Sequence, residues 1–84
     1  MIIVGTLESS DCLITIIPAE TLIIEVDSIV YDAFGQQICH VIKHTLAKAN
    51  ITKAHIICQD KGALDYTIKA RLETAIARYQ EEGF

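Results

Sequence analysis

Three groups of residues in this 84-residue chain have types and spacings that could do chemistry. The first is Gly5-Thr6-Leu7-Glu8-Ser9-Ser10-Asp11, where two adjacent hydroxyls stand between two carboxylates. The Gly-x-Ser-x-Gly elbow of a nucleophilic serine is absent. Acidic flanks without glycine-rich spacing also make a poor phosphate cradle. Composition leaves a turn or capping role, or a modification site on a surface segment. The second group is His40 and His44, whose four-residue spacing can clamp a metal on one helix face. Cys39 completes no standard ligand set and no Glu is placed as in His-Glu-x-x-His, so exposed histidines and no metal site are expected. The third group is Asp60, Lys61 and Asp65, followed by Lys69, Arg71 and Arg78. The acids read as turn and cap residues, and the bases as a solvated face. Arg71 and Arg78 can also meet a partner or a phosphate-bearing group. No acid–base pair, Cys/His couple or cofactor loop stands out, so no catalytic residue is expected.

His55 alternates away from Ile56 and is expected to be partly exposed. Cys12, Cys39 and Cys58 are odd in number and show no paired spacing. They read as reduced thiols of a cytoplasmic protein. The formal net charge of −4 argues against nucleic acid as a partner. The apolar runs are far shorter than the roughly 20 residues of a membrane span, which argues against a membrane role. With no Trp and five aromatic residues, a large aromatic ligand platform is not expected. Charge is uneven: residues 1–42 carry −6 and residues 43–84 carry +2, so an acidic surface could steer basic partners.

The elements that must position these groups follow from periodicity. Residues 11–17 alternate as a strand, with Cys12, Ile14 and Ile16 on one face. Residues 21–27 form a second strand, and the short Pro18-Ala19-Glu20 link predicts an antiparallel hairpin. Asp27 or Ser28 is expected to cap a helix whose stripe is Phe34, Ile38, Val41, Ile42, Thr45 and Ala49, with Leu46 at its edge and Asn50 as its stop. Residues 53–59 form a third strand with Ala54, Ile56 and Cys58 inward. Asp65 is expected to cap a last helix with Ile68, Leu72, Ala75, Ile76 and Tyr79 inward. The expectation is one α+β domain over residues 1–84, a two-layer sandwich with a three-stranded sheet and two helices in the order ββαβα.

The Gly5–Asp11 segment closely resembles the N-terminal motif of the citrate lyase acyl carrier proteins, the gamma subunits of that enzyme. Asp60-Lys61-Gly62-Ala63-Leu64-Asp65, with Ile68-Lys69-Ala70-Arg71 and Glu73-Thr74-Ala75, resembles the C-terminal motif of the same family. Phe34-Gly35-Gln36-Gln37-Ile38 looks like its central helix. The resemblance spans nearly the whole chain. It implies a non-catalytic carrier with a covalent 2'-(5''-phosphoribosyl)-3'-dephospho-CoA arm, joined by a phosphodiester to the serine after the glutamate. That position is Ser9, with Ser10 as the neighbouring alternative. The arm's thiol would carry acetyl and citryl thioesters between an acyltransferase (alpha) and a lyase (beta) subunit, inside a cytoplasmic hetero-oligomer. A prosthetic-group transferase and an acetylating ligase are the further partners implied.

Three other readings compete with this one. A malonate decarboxylase carrier is similar and uses a similar group, but the Asp60–Asp65 motif favours citrate lyase. A cofactor-free interaction module would keep its function when Ser9 is replaced. A metal enzyme built on His40 and His44 would hold stoichiometric metal.

Overall fold

The computed structural model describes residues 1–83, so the expected domain end at Phe84 lies outside the described residues. Four strands and two helices follow in the order β1 (Ile2–Gly5), β2 (Cys12–Ile17), β3 (Leu22–Ser28), α1 (Tyr31–Lys48), β4 (Ala54–Asp60) and α2 (Asp65–Glu81). The sheet order is β1-β2-β4-β3, with β4 antiparallel to β2 and parallel to β3. The α+β class is as expected. The three-stranded sheet and the ββαβα order are not, because residues 2–5 add a fourth strand.

The expected hairpin between the two long strands is also replaced. β4 enters between β2 and β3 and bonds to both. Strands in a sheet lie about 4.8 Å apart, so a gap one strand wide is about 10 Å, which four linking residues span. Ala54 donates its N–H to the Thr21 carbonyl at 3.1 Å, which fixes the start of the inserted strand. Parallel neighbours need a crossover, and α1 supplies it between β3 and β4.

Registry lines up the inward residues in rows across the sheet. One row is Val4, Ile14, Cys58 and Val26, and the next is Ile2, Ile16, Ile56 and Ile24. A third runs Cys12, Asp60 and Ser28. Both helices cover this face, α1 over β3 and α2 over β1 and β2. The α2 stripe is fully as expected, since Ile68, Leu72, Ala75, Ile76 and Tyr79 are all buried. In α1, Ile38, Ile42, Thr45 and Leu46 are buried, so Leu46 is central rather than marginal. Phe34 departs from the stripe. It is 56% exposed because its side of the first turn faces the β4–α2 link across a groove, not the sheet. Gly35 leaves room for the Tyr31 ring, which a Cβ there would meet at 2.8 Å.

Helix ends follow backbone logic more than side-chain caps. Asn50 stops α1 in the left-handed region (φ 57°). Ile51 N–H donates to Leu46 O and Asn50 N–H to Ala47 O, the paired bonds of a Schellman ending. At the other end no side chain caps α1, and the N-cap is Val30. Ser28 instead accepts the Val30 N–H at 3.1 Å in a turn before the helix. Asp65 is likewise not a cap. It sits in the first turn of α2 after the N-cap Leu64, and accepts a bond from Gln37 Nε2 at 2.6 Å.

Candidate functional site

The two sequence motifs meet at one end of the sheet. Residues 6–11 leave β1 and return to β2 through a tight turn. Asp11 N–H donates to Glu8 O at 3.2 Å, which places Ser9 and Ser10 at the two central positions. Ser10 takes φ 64°, a conformation uncommon for residues other than glycine. Strain of this kind persists only where neighbours over-determine it. Here Ser10 N–H donates to Lys61 O at 2.8 Å, and Lys61 N–H donates to Asp11 O at 2.9 Å. The β4–α2 turn is thus stitched to the serine turn by backbone bonds on both sides of Lys61.

Asp11 is the hub of the turn. Its Oδ1 accepts from Arg71 Nε at 3.0 Å and from Cys12 N–H at 2.8 Å. Its Oδ2 accepts from Arg71 Nη2 and from Thr6 Oγ1, both at 2.7 Å. Thr6 Oγ1 in turn accepts the Glu8 N–H at 3.2 Å. The two-pronged guanidinium contact, followed by the Thr6 hydroxyl, holds the Asp11 carboxyl down at a pKa of about 2, so it stays ionised. The same contact raises the Arg71 pKa further.

Asp60 supports the opposite side. It is 1% exposed. Its Oδ2 accepts from Ser28 Oγ at 2.8 Å and from Gly62 N–H at 3.1 Å, and its Oδ1 accepts the Ala63 N–H at 2.9 Å. A buried carboxylate is tolerated when its acceptor sites are filled. These bonds fix the path from β4 into α2, and with it the Lys61 carbonyl that holds Ser10.

Against this frame the Ser9 and Ser10 side chains are both exposed, and neither hydroxyl makes a hydrogen bond among the described residues. The two differ in the backbone, where Ser10 N–H is held by Lys61 O. Among the described residues no general base is hydrogen-bonded to either hydroxyl. His40 and His44 are exposed and stacked, with ring centroids 6.2 Å apart. Among the described residues no group of three or more His, Cys, Asp or Glu is disposed to hold a metal. His55 is partly exposed and pairs with Glu25 at 2.8 Å. All three cysteines are free; Cys12 and Cys58 are buried on the inward face. The Cys58 thiol is pushed far up by its contact with Cys12 and by burial, so it is no ready nucleophile. Arg78 is exposed in the last turn of α2.

Two features escaped the sequence. Arg71 read as a solvated base, although it is the clasp of the serine turn. Nothing local signals the pairing, because sixty residues separate the partners. The other is a groove of about 460 Å³ beside the Lys61 turn, walled by Phe34, Ile38, Leu64 and Tyr66, with Gly62 and Asp65 also on its lining. Among the described residues no helix is long and apolar enough to cross a membrane.

Comparison with known proteins brings this geometry to a family. The acyl carrier family described as malonate decarboxylase delta subunit (MdcD) matches residues 1–79. The citrate lyase acyl carrier protein of Treponema denticola is 45% identical over 78 residues, covering 93% of this chain and 90% of that protein. That of Haemophilus influenzae strain PittEE is 45% identical over 80 residues, covering 95% and 84%. That of Halothermothrix orenii is 47% identical over 75 residues, covering 88% and 80%. No solved structure matches significantly.

Proposed function

The chain belongs to the family of citrate lyase acyl carrier proteins, a non-catalytic carrier rather than an enzyme in its own right, and on that premise we propose that Ser9 is the attachment point of its prosthetic group. The observation that carries the assignment is a braced turn that presents free hydroxyls. Ser10 N–H and the Asp11 carboxylate are bonded into the frame, while the Ser9 and Ser10 hydroxyls are both exposed and unpaired among the described residues. Of the two, Ser9 is the serine that directly follows Glu8, the position the family resemblance implies. A carrier needs such a hydroxyl on a rigid mount, since the modifying enzyme must find it in a fixed place.

The group proposed is 2'-(5''-phosphoribosyl)-3'-dephospho-CoA, joined through a phosphodiester to Ser9 Oγ. When bound, it supplies a terminal thiol that holds acetyl or citryl as a thioester. The residues here suit that role. On attachment the Ser9 O–H bond is exchanged for an O–P bond while a leaving group departs from the phosphorus of an activated donor. Among the described residues no base is hydrogen-bonded to the hydroxyl, so the transferase supplies the base that takes the proton. Arg71 is engaged by Asp11 in two hydrogen bonds, which brace the turn on which the arm is mounted. A tethered arm raises the effective concentration of its acyl group at each partner site.

The partners proposed are the acyltransferase (alpha) and lyase (beta) subunits of citrate lyase, a prosthetic-group transferase and an acetylating ligase, in the cytoplasm. Residues 1–84 would act as one carrier domain. A second reading, the malonate decarboxylase carrier, is favoured by the description of the matching family. The assignment is tested by intact mass of the chain made with and without the transferase, followed by peptide mapping. The expected result is the arm's mass on Ser9, abolished in Ser9→Ala and retained in Ser10→Ala. Unmodified chain in the presence of active transferase would overturn it. Reconstitution with citrate lyase subunits or malonate decarboxylase subunits separates the two carriers.

A further inference from the structure

The surface beside the attachment turn changes character in a definite order. Next to Lys61, whose carbonyl holds Ser10 N–H at 2.8 Å, come Gly62 and the groove walled by Phe34, Ile38, Leu64 and Tyr66. Phe34 and Tyr66 are 56% and 71% exposed. Other large apolar side chains are exposed as well, but these two rings and the exposed Leu64 converge on one groove, and a contiguous apolar patch of this kind marks a binding surface. Beyond Tyr66 lies a second hollow of about 340 Å³, lined by His40, His44 and Lys69 and sharing Asp65 and Tyr66 with the groove. The two hollows are therefore one track, aromatic near the serine turn and basic farther away.

An arm of the proposed kind has the same order. Starting from the phosphodiester it runs through ribose, adenosine, diphosphate and pantetheine to the thiol. We propose that this track is the resting seat of the arm, with the adenosine against Phe34 and Tyr66 and the diphosphate against Lys69, His40 and His44. The proposal rests on the reading of Ser9 above and adds a binding site on the carrier's own body. A purine presents a flat π face to an aromatic side chain, and stacking of this kind tolerates an open groove. Lys69 supplies a compact positive charge for phosphate oxygens, and both imidazoles have donor nitrogens. The one acid on the shared wall, Asp65, already accepts the Gln37 amide at 2.6 Å. The site need not be tight. A covalent tether holds the ligand at high local concentration, so weak contacts suffice to fill the seat and to release it to a partner.

The test uses the modified full chain, with the Ser9 adduct first verified by intact mass and peptide mapping. Amide spectra of unmodified and modified protein are then compared, with ³¹P spectra of the diphosphate and nuclear Overhauser contacts from the adenine. The expected result is a set of shifts over Phe34, Leu64, Tyr66 and Lys69, with adenine contacts to the two rings. Tyr66→Ala and Lys69→Glu should each keep the Ser9 adduct and the fold. Tyr66→Ala should remove the adenine contacts, and Lys69→Glu should return the ³¹P resonances toward those of the free group. An adduct on Ser9 whose shifts stay within residues 6–11 and 61 would overturn the seat while leaving the attachment standing, and would leave the groove to a partner subunit. A chain that takes no adduct at Ser9 would overturn both.

Discussion

Arg71 holds Asp11 in two parallel hydrogen bonds, Nε to Oδ1 at 3.0 Å and Nη2 to Oδ2 at 2.7 Å. The contact joins the second helix to the turn that carries the serines. The orientation of that turn is therefore set by α2 as much as by the strands that flank it.

The acid limb of stability should report this clasp. The Asp11 carboxyl is lowered from 3.8 to about 2, chiefly by Arg71 and then by Thr6. A lowered folded value means the stabilisation is complete above the unfolded value and fades as pH falls from near 4 through about 2. A carboxyl titration by NMR should give a midpoint near 2 for Asp11. In Arg71→Ala the midpoint should move up toward 3.8, and the residue 8–11 amides should exchange faster. An unmoved midpoint would mean the guanidinium contact is absent in solution.

Asp60→Ala should destabilise by about 2–3 kcal/mol, because it leaves the Gly62 and Ala63 N–H groups and the Ser28 hydroxyl without their acceptor. Denaturant melts measure this. The loss should be accompanied by slower modification at Ser9, since the Lys61 carbonyl that fixes Ser10 is then less well held.

Ser9→Ala should leave stability within about 0.5 kcal/mol of the parent, as expected for an exposed side chain without a hydrogen-bond partner among the described residues. Its thermal melt should overlay the parent while the adduct is lost. A large drop in melting temperature would point to a structural role for the hydroxyl.

Gly5→Ala should be among the most damaging single changes. Gly5 has φ 106°, and an added Cβ would run into the Cys12 carbonyl oxygen. Both the backbone conformation and the space exclude a side chain. A loss of about 2 kcal/mol or more is expected, read from urea midpoints, with Ser10→Gly as a control that tolerates the positive φ.

Much of this fold was legible where the signal was local. The α2 stripe, the inward faces of β2 and β4 and the Asn50 stop follow from periodicity and from the chemistry of single residues. Residues 2–5 did not reveal a strand, because Ile3 on the outer face is as apolar as Ile2 and Val4 on the inner one, and four residues carry no alternation. The hairpin expectation failed for a different reason. A short link is compatible with adjacent strands and with strands one place apart, and the choice is made by β4, which lies far along the chain. Ser9 is singled out as the proposed attachment serine only through the resemblance to a family motif. Residue types alone left turn, cap and modification open. The groove was missed because Phe34 obeys the helical period while pointing across to the β4–α2 link.

The clasp between residues 11 and 71 also has a consequence for timing. The serine turn is synthesised before its braces, because Lys61 and Arg71 lie fifty and sixty residues further along the chain. Until those residues are made the turn lacks these bonds, and only a chain that includes them presents Ser9 on the braced mount. Loading of the carrier is thereby expected to follow synthesis of α2, so that copies lacking it pass the modifying enzyme unmarked.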